Sequence, residues 1–424
     1  MNLSLTQLNT GFPWILLLVA AAFLLKKHGS FRMAAEDSLK ILLGYYMVAI
    51  GASITPSTTG AISQLMKAAF GVEGGVLNSE VYGAVLLLRH GSTGFALMFL
   101  AFCANLLLAR FTPLKGVFLT SHHYMYLSLF AATMLMEMAQ LSAPAAVVLG
   151  AAVLSVYGWL SVALTRRVIS QVTGIADVGM ANSSAEAALL GKLFGRMTRG
   201  KTVEYELAGE KKSSSLLGSI PVAVVLSTFV TYVALCIFAG SRQAHVILGN
   251  DSLLEECLLR SLLYGAQVAL LLYGIRMMLT SVIELLWTLA NRFVPGLWKG
   301  LDVSIMISYM PRAWEEGFLL SCLGGLLATA LMICLRAIYV PIMSPTSFYF
   351  TGGLAGVCGY TYGKRRGARL AGFCTGVLAT VAIGCMASGM TMGTDMGVMF
   401  GETQYGIFGL ILEGISRCCI GNNL

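Results

Sequence analysis

One residue that could take part in chemistry is a carboxylate inside an apolar segment. Asp302 stands in the segment LDVSIMISY, after the Pro295-Gly296 break and before Pro311. An ionised carboxylate is costly in lipid, so such residues usually face a protein interior or a wet cavity. Transporters often build a substrate site from a broken, re-entrant span beside an ionisable residue. We therefore predict a substrate site at Asp302, and the alternative is a carboxylate paired with a basic neighbour for packing.

A pair of histidines is the second candidate. His122 and His123 lie in the segment TSHHYM, near the start of an apolar run, residues 118–138, that is predicted to cross the membrane. Histidine is unusual within a span, and its ring can donate or accept a hydrogen bond. We predict a ligand contact for His122, whereas a regular helix turns His123 to another face; the alternative is packing. No nearby spacing predicts metal ligation, and no cofactor is predicted.

The composition identifies the class of protein that must position these residues. Of 424 residues, 57% are hydrophobic and 11% are charged, and the mean hydropathy is +0.78. A soluble domain carries roughly a quarter charged residues, so the chain is predicted to be a polytopic membrane protein. The net charge of +8 comes from short basic loops between apolar runs, which is typical of cytoplasmic loops and not of nucleic-acid binding.

The apolar runs predict an all-α fold with about 10–12 transmembrane helices, since each crossing needs about 20 apolar residues. The first predicted span is residues 12–25, with its N-terminus outside. Shorter runs, such as residues 81–88, predict re-entrant hairpins. Gly51, Ala52 and Ser53 interrupt one apolar run and could expose backbone to a cavity, or they could form a helix-packing face of small residues.

The chain is predicted to be a single membrane domain with two inverted structural repeats. Residues 1–165 form the first repeat, residues 166–218 a cytoplasmic loop with an amphipathic helix on the membrane surface at 184–197, and residues 219–424 the second repeat. The segments GVLNSEVYGAV and GLDVSIMISYM both precede a crossing span, and in this alignment Ser79 corresponds to Asp302.

These landmarks, in this order, resemble the membrane-embedded IIC component of the ascorbate family, within the ascorbate/galactitol superfamily, of the bacterial phosphoenolpyruvate-dependent sugar phosphotransferase system. The similarity covers residues 40–390 and is strongest at residues 44–53, at FLTSHH, at residues 171–173 and at residues 274–318. The resemblance places substrate-binding residues at Gly51, Ala52, Ser53, His122, Tyr126, Asn182, Ser183 and Asp302.

Two of these positions depart from the ascorbate pattern. Tyr126 stands where the pattern has a glutamine one helical turn after the histidine, and Asn182-Ser183-Ser184 stand where it has a His-Gln pair. The resemblance therefore implies a substrate that is ascorbate or a related sugar, sugar acid or polyol.

The resemblance also implies group translocation by a homodimer in the bacterial inner membrane. The IIC domain would bind the sugar from outside and carry it inward, and a separate IIB protein, supplied by IIA, would phosphorylate it from a phosphocysteine. Asp302 would contribute to catalysis by positioning and polarising the substrate hydroxyl. The alternatives are an ion-coupled secondary transporter of similar fold, or a membrane enzyme or scaffold that transports nothing.

Overall fold

Helices make up most of the described chain. The computed structural model describes residues 29–181, 184–198, 220–249, 252–342, 344–388 and 396–421, so the predicted span at residues 12–25 lies outside the described residues. The described helices are α1 (Phe31–Ser53), α2 (Thr55–Thr58), α3 (Gly60–Phe70), α4 (Ser79–Phe111), α5 (Ser121–Thr133), α6 (Ala143–Thr173), α7 (Ser184–Met197), α8 (Ile220–Ala239), α9 (Ser241–Leu248), α10 (Leu253–Phe293), α11 (Pro311–Cys334), α12 (Pro345–Ser388) and α13 (Thr403–Gly421), with a π-helical turn at Met134–Met138 and a 3-10 turn at Val303–Met306.

Six of the described helices are long and apolar enough to cross a membrane, namely α4, α6, α8, α10, α11 and α12. Each has 20 residues or more, which is about the length that the hydrocarbon layer requires. The prediction of an all-α polytopic membrane protein is therefore confirmed. The total of about 10–12 crossings stays a prediction.

Two of the long helices are bent. In α12 the bend is at Lys364, where φ is 52° and ψ is −147°. A Cβ atom added to Gly359, before this bend, would overlap the carbonyl oxygen of Gly367, after it. The two arms of α12 therefore run side by side as a helical hairpin. The bend in α4 is at His90, with φ −128° and ψ 27°, and it follows the short apolar run for which the sequence predicts a hairpin arm.

Short strands form two parallel sheets that the sequence analysis does not predict. The strands in the described residues are β1 (Glu73–Leu77), β2 (Gly116–Phe118), β3 (Val178–Met180), β4 (Trp298–Leu301), β5 (Tyr339–Ile342) and β6 (Val398–Met399). One sheet has the order β5-β1-β6 and the other β2-β4-β3. Segments of this length are too short to show the alternation by which a strand is recognised from sequence.

The strand order crosses between the two halves of the chain. The central strand β1 from the first half is flanked by β5 and β6 from the second, and β4 is flanked by β2 and β3. Each central strand leads to a capping side chain: Asn78 Oδ1 accepts the Val81 N–H at 3.1 Å, and Asp302 Oδ1 accepts the Ser304 N–H at 2.9 Å. This crossed pairing is compatible with two repeats, and their inverted relation stays a prediction. Asn78 and Asp302 each follow a central strand and cap the next helical turn, so Asn78, and not Ser79, is the counterpart of Asp302 in this role.

The amphipathic helix packs against α12 through its small residues. A Cβ added to Gly191 would lie 2.7 Å from the Ala355 carbonyl oxygen, whereas Leu193 and Met197 are 53% and 68% exposed. The predicted helix at residues 184–197 therefore exists as α7, and its contact with the membrane surface stays a prediction. The chain before it is helical as far as Thr173, so the predicted loop does not begin at residue 166.

Glu186 on α7 carries a buried carboxyl group. Its Oε1 accepts a hydrogen bond of 2.6 Å from the hydroxyl of Tyr157 on α6. Its Oε2 is buried and has no hydrogen-bond partner among the described residues. Burial raises the pKa of Glu186 to about 7, although the hydrogen bond from Tyr157 acts in the opposite direction.

This carboxyl group predicts a stability that decreases with pH. The unfolded chain loses the Glu186 proton near pH 4.5, before the folded chain does, so the free energy of unfolding should fall by up to about 3 kcal/mol between pH 4.5 and about pH 7. Glu186→Gln keeps an acceptor for Tyr157 but does not titrate. Thermal unfolding in detergent at pH 5 and pH 8 should therefore differ less for this variant than for the wild type. Glu36→Gln, at a side chain that is 66% exposed, should keep the wild-type difference; equal differences in Glu186→Gln and the wild type would contradict the prediction.

Candidate functional site

The second sheet brings the histidine pair to Asp302. Strands β2 and β4 pair in parallel, with Phe118 opposite Gly300. The Leu119 N–H continues this pairing by donating to the Gly300 carbonyl oxygen at 3.1 Å. Because parallel strands leave a sheet at the same edge, the residues that follow β2 lie beside those that follow β4.

Both histidines approach the same carboxylate oxygen. His122 Nε2 lies 3.2 Å from Asp302 Oδ2, and His123 Nε2 lies 3.8 Å from it. The two ring centroids are 4.3 Å apart. The expectation that His123 faces elsewhere is therefore corrected: Asp302 lies across the first turn of α5, within reach of both side chains.

The surroundings of Asp302 favour its ionised form. Burial by itself would raise the pKa of Asp302, but the hydrogen bond from His122, the charges of the two histidines and the Ser304 N–H hold the pKa well below its usual range. The carboxylate can therefore accept hydrogen bonds from hydroxyl groups, and charge-assisted hydrogen bonds of this kind are roughly twice as strong as neutral ones.

Two glutamates at the ends of first-sheet strands are not identified by the sequence analysis. Glu80 lies in the first turn of α4, after β1, and Glu402 follows β6. The Ser79 hydroxyl contacts Glu402 Oε2 and accepts the Gly401 N–H at 3.0 Å. Burial, followed by the charge of Glu80, raises the pKa of Glu402 to about 8. Carboxylates in the apolar contexts LNSEVYG and FGETQ are the signal that could have identified both.

The two sheets end at a single group of side chains. Glu80 interacts electrostatically with His122 and Asp302, and Glu402 interacts with Glu80 and Asp302. We call His122, His123, Asp302, Glu80 and Glu402 the polar cluster. Its members come from four segments that lie far apart in the sequence, and each segment directly follows a strand.

Helices begin around the polar cluster. Among them, α4 begins at Ser79, α5 at Ser121 and α13 at Thr403. The first N–H groups of a helix have no partner within that helix, and its N-terminus carries a partial positive charge. These helix ends offset part of the negative charge of the cluster, and their N–H groups can bind oxygen atoms of a ligand.

Tyr126 lies next to the glutamates of the polar cluster. Its side chain is buried, and it interacts electrostatically with Glu80 and Glu402. A Cβ added to Gly83 would overlap its ring, so α4 and α5 are in close contact here. The Tyr126 hydroxyl has no hydrogen-bond partner among the described residues. A buried donor in this condition is costly unless a water or ligand pairs with it, so Tyr126 can supply one hydrogen bond to a ligand.

The remaining predicted site residues lie elsewhere or outside the described residues. Gly51 and Ala52 are buried in α1, and the Gly51 carbonyl oxygen accepts a hydrogen bond of 2.8 Å from Gln267 of α10. Ser53 Oγ donates to the Ile50 carbonyl oxygen at 2.7 Å. These contacts are those of helix packing, and a substrate contact for the three residues stays a prediction. Asn182 and Ser183 lie outside the described residues.

A comparison with known protein families agrees with this architecture. The family described as PTS system sugar-specific permease component, EIIC-GAT, matches residues 10–405. The match includes all five residues of the polar cluster and nearly the whole chain. A polytopic helical membrane protein with ionisable groups gathered at helix N-termini is also what a sugar permease requires. The chain belongs to the family of PTS sugar-specific permease components, and it is a IIC component of a sugar phosphotransferase system.

Proposed function

We propose that this IIC component translocates an uncharged, hydroxyl-rich substrate, a sugar or a polyol, which binds at the polar cluster for phosphorylation by a separate IIB protein. The observation that supports the proposal is the ionised carboxylate of Asp302 in the polar cluster. The pKa of Asp302 is held well below its usual range, and its Oδ2 lies 3.2 Å from His122 Nε2.

Hydroxyl groups suit the hydrogen-bonding capacity of these side chains. An ionised carboxylate only accepts hydrogen bonds, and a hydroxyl donates one while keeping its lone pairs available. Asp302 Oδ2 can accept from a substrate hydroxyl, and His122, whose side chain is 37% exposed, can donate to a neighbouring oxygen. The Tyr126 hydroxyl can form a hydrogen bond with a third oxygen of the substrate. Such an arrangement would hold and polarise one hydroxyl for attack on a phosphoryl group.

A sugar acid fits this environment less well. Two unit charges 4 Å apart interact by about 4 kcal/mol at an effective dielectric constant of about 20, and a substrate carboxylate near Asp302 would be repelled on this scale. The helix N-termini offset only part of that repulsion. Ascorbate and other anions are therefore expected to be poorer substrates than uncharged analogues.

The family resemblance supplies the partners of the proposed reaction. IIB would carry the phosphocysteine and IIA would recharge it, while the permease would work as a homodimer in the bacterial inner membrane. The basic segment at the α12 bend suits a cytoplasmic position under the positive-inside rule. There Arg365 Nε and Arg369 Nε bind Glu316 at 2.8 and 2.7 Å, which holds the bend against α11.

The test is uptake by membrane vesicles that contain the protein, with and without phosphoenolpyruvate and the soluble phosphotransfer proteins. A labelled hexitol and the corresponding aldonic acid form a pair that differs mainly in charge, and labelled ascorbate extends the comparison. We expect phosphorylated product only with the complete system. We also expect at least about tenfold higher kcat/KM for the uncharged member of the pair, which corresponds to about 1.4 kcal/mol. Preference for the acids would contradict the proposed substrate class.

The second candidate is an ion-coupled secondary transporter. The observation that favours it is Glu402, a buried carboxyl group that titrates near neutral pH and could carry a proton across the membrane. Such a transporter would accumulate unmodified sugar in the absence of phosphoenolpyruvate, and a protonophore would abolish the accumulation. Phosphorylated product that is insensitive to the protonophore would exclude it.

A further inference from the structure

His123 has no role in the proposed sugar site, yet its side chain is buried beside Asp302 in the polar cluster. It is 8% exposed, and its Nε2 lies 3.8 Å from Asp302 Oδ2. With His122 it forms a pair of imidazoles on one side of a single carboxylate oxygen. Two imidazoles and a carboxylate are ligands that divalent transition metals prefer.

The distances match those within a coordination sphere. One ligand atom each from His122, His123 and Asp302 lies within 4.8 Å of the others. In a tetrahedral site with metal–ligand bonds of 2.0–2.1 Å, ligand atoms are about 3.3 Å apart. The contacts of 3.2 Å and 3.8 Å to Asp302 Oδ2 are near that value.

The second carboxylate oxygen of Asp302 is already engaged. Oδ1 accepts the Ser304 N–H at 2.9 Å, which fixes the carboxylate and directs Oδ2 toward the histidines. Outer hydrogen bonds of this kind orient metal ligands in known sites. Glu80 interacts electrostatically with both His122 and Asp302, but the ligand atoms that lie within 4.8 Å of one another in the described residues are those of His122, His123 and Asp302.

We propose that His122, His123 and Asp302 form a binding site for a divalent transition-metal ion of the Zn²⁺ class, and that the bound ion blocks sugar binding. The second part rests on the proposed function, since His122 and Asp302 are the side chains assigned to the substrate. A metal bound to His122 Nε2 and Asp302 Oδ2 takes the carboxylate oxygen that would accept a hydrogen bond from the sugar, and it fixes the imidazole ring that would donate to the sugar. The ion is therefore an inhibitor that competes with the substrate.

Metal binding is tested on the purified full-length protein in detergent, after treatment with a chelator. Co²⁺ is titrated while visible absorption is recorded, because tetrahedral Co²⁺ absorbs far more strongly than hydrated Co²⁺, and Zn²⁺ is then added to displace it. We expect one ion per chain.

The variants test which side chains bind the ion. We expect at least tenfold weaker binding in His123→Ala and Asp302→Ala. Binding should be unchanged in the control His90→Ala, whose imidazole pairs with Glu137 at 2.5 Å. Because an alanine variant could fail to fold, His123→Asn is measured in parallel, with thermal unfolding as the check. Equal binding by the wild type and all variants, or no tetrahedral spectrum, would overturn the site.

Inhibition is tested separately in the vesicle assay. Zn²⁺ should raise the apparent KM of the wild type for the sugar without lowering the maximal rate. In His123→Asn, Zn²⁺ should raise the apparent KM by a smaller factor, relative to the KM of the same variant without Zn²⁺. Metal binding without any sugar uptake would leave the metal site standing and reject the proposed function. Phosphoenolpyruvate-dependent uptake that Zn²⁺ does not affect would reject competition and leave the proposed function standing.

Discussion

Replacing Asp302 by asparagine should lower phosphoenolpyruvate-dependent sugar uptake by about 100-fold. The carboxylate is the ionised acceptor of the polar cluster, and the loss of a charge-assisted hydrogen bond costs about 2–3 kcal/mol, where each 1.4 kcal/mol is a factor of ten. The asparagine oxygen can still accept the Ser304 N–H, because asparagine is a good N-cap residue. The fold should therefore survive, and the loss should appear in vesicle uptake while thermal unfolding stays near that of the wild type.

The matched control for this prediction is Asp177→Asn. Asp177 Oδ2 lies 3.3 Å from Lys299 Nζ, and the side chains of Asp177 and Lys299 are 48% and 35% exposed. Ion pairs in contact with solvent contribute about 0–1 kcal/mol to stability, so uptake by Asp177→Asn should remain near the wild-type value. If Asp302→Asn retained uptake within threefold of the wild type, Asp302 would be a packing residue and not a substrate acceptor.

Replacing Gly317 by alanine should reduce the free energy of unfolding by about 3 kcal/mol, the upper part of the usual range for overpacking. A Cβ at Gly317 of α11 would overlap the Gly352 carbonyl oxygen and lie 2.6 Å from Gly356 Cα. A Cβ at Gly372, on the other arm of α12, would lie 2.7 Å from Gly317 Cα. These neighbours are backbone atoms and cannot rotate away, so α11 must separate from both arms of α12. Thermal unfolding in detergent measures the effect, and Gly317→Leu should yield no folded protein.

Gly414→Ala is the control for this second prediction. Gly414 is also a helical glycine, in α13, and an added Cβ would meet no atom within 4 Å. Alanine is favoured over glycine in a helix by about 0.5–1 kcal/mol, so this variant should be as stable as the wild type or slightly more stable. Equal stability of the two alanine variants would show that α11 and α12 can adjust and that the close packing of their backbones is not required.

Hydropathy identifies α11 and α12 as spans, but it does not show how these helices pack. The glycine contacts between them explain why. Both arms of α12 approach Gly317 through Gly356 and Gly372. Glycine is common in transmembrane helices and allows close approach of backbones. Because this sequence has 47 glycines, their positions by themselves do not indicate which pairs meet. The direction of each helix and the bend at Lys364 decide that.

The sequence also could not predict the bend at Lys364 itself. Lys364 has a φ of 52°, a backbone angle that residues other than glycine and asparagine rarely adopt. It is stabilised from outside the bend, where Glu316 of α11 binds Arg365 and Arg369. A basic run in the sequence predicts a cytoplasmic loop, and only the position of Glu316 shows that the segment is a tight turn inside one helical hairpin.

The sequence by itself determined the class of protein, most of its long helices and two residues of the polar cluster. A long apolar run has one favourable environment, and an ionisable residue within such a run is conspicuous because its burial in lipid is so costly. His122 and Asp302 were found on that ground, and their meeting at 3.2 Å agrees with a shared site. The order of landmarks along the chain was also sufficient to indicate the family.

Only the tertiary structure decided which other side chains join them. Glu80, Glu402 and His123 reach the polar cluster because strands from opposite halves of the chain pair in two small sheets and release the following residues at neighbouring edges. Those strands have two to five residues, too few for a periodic pattern to be recognised. Their pairing depends on contacts between segments far apart in sequence, and local propensity carries no information about such contacts.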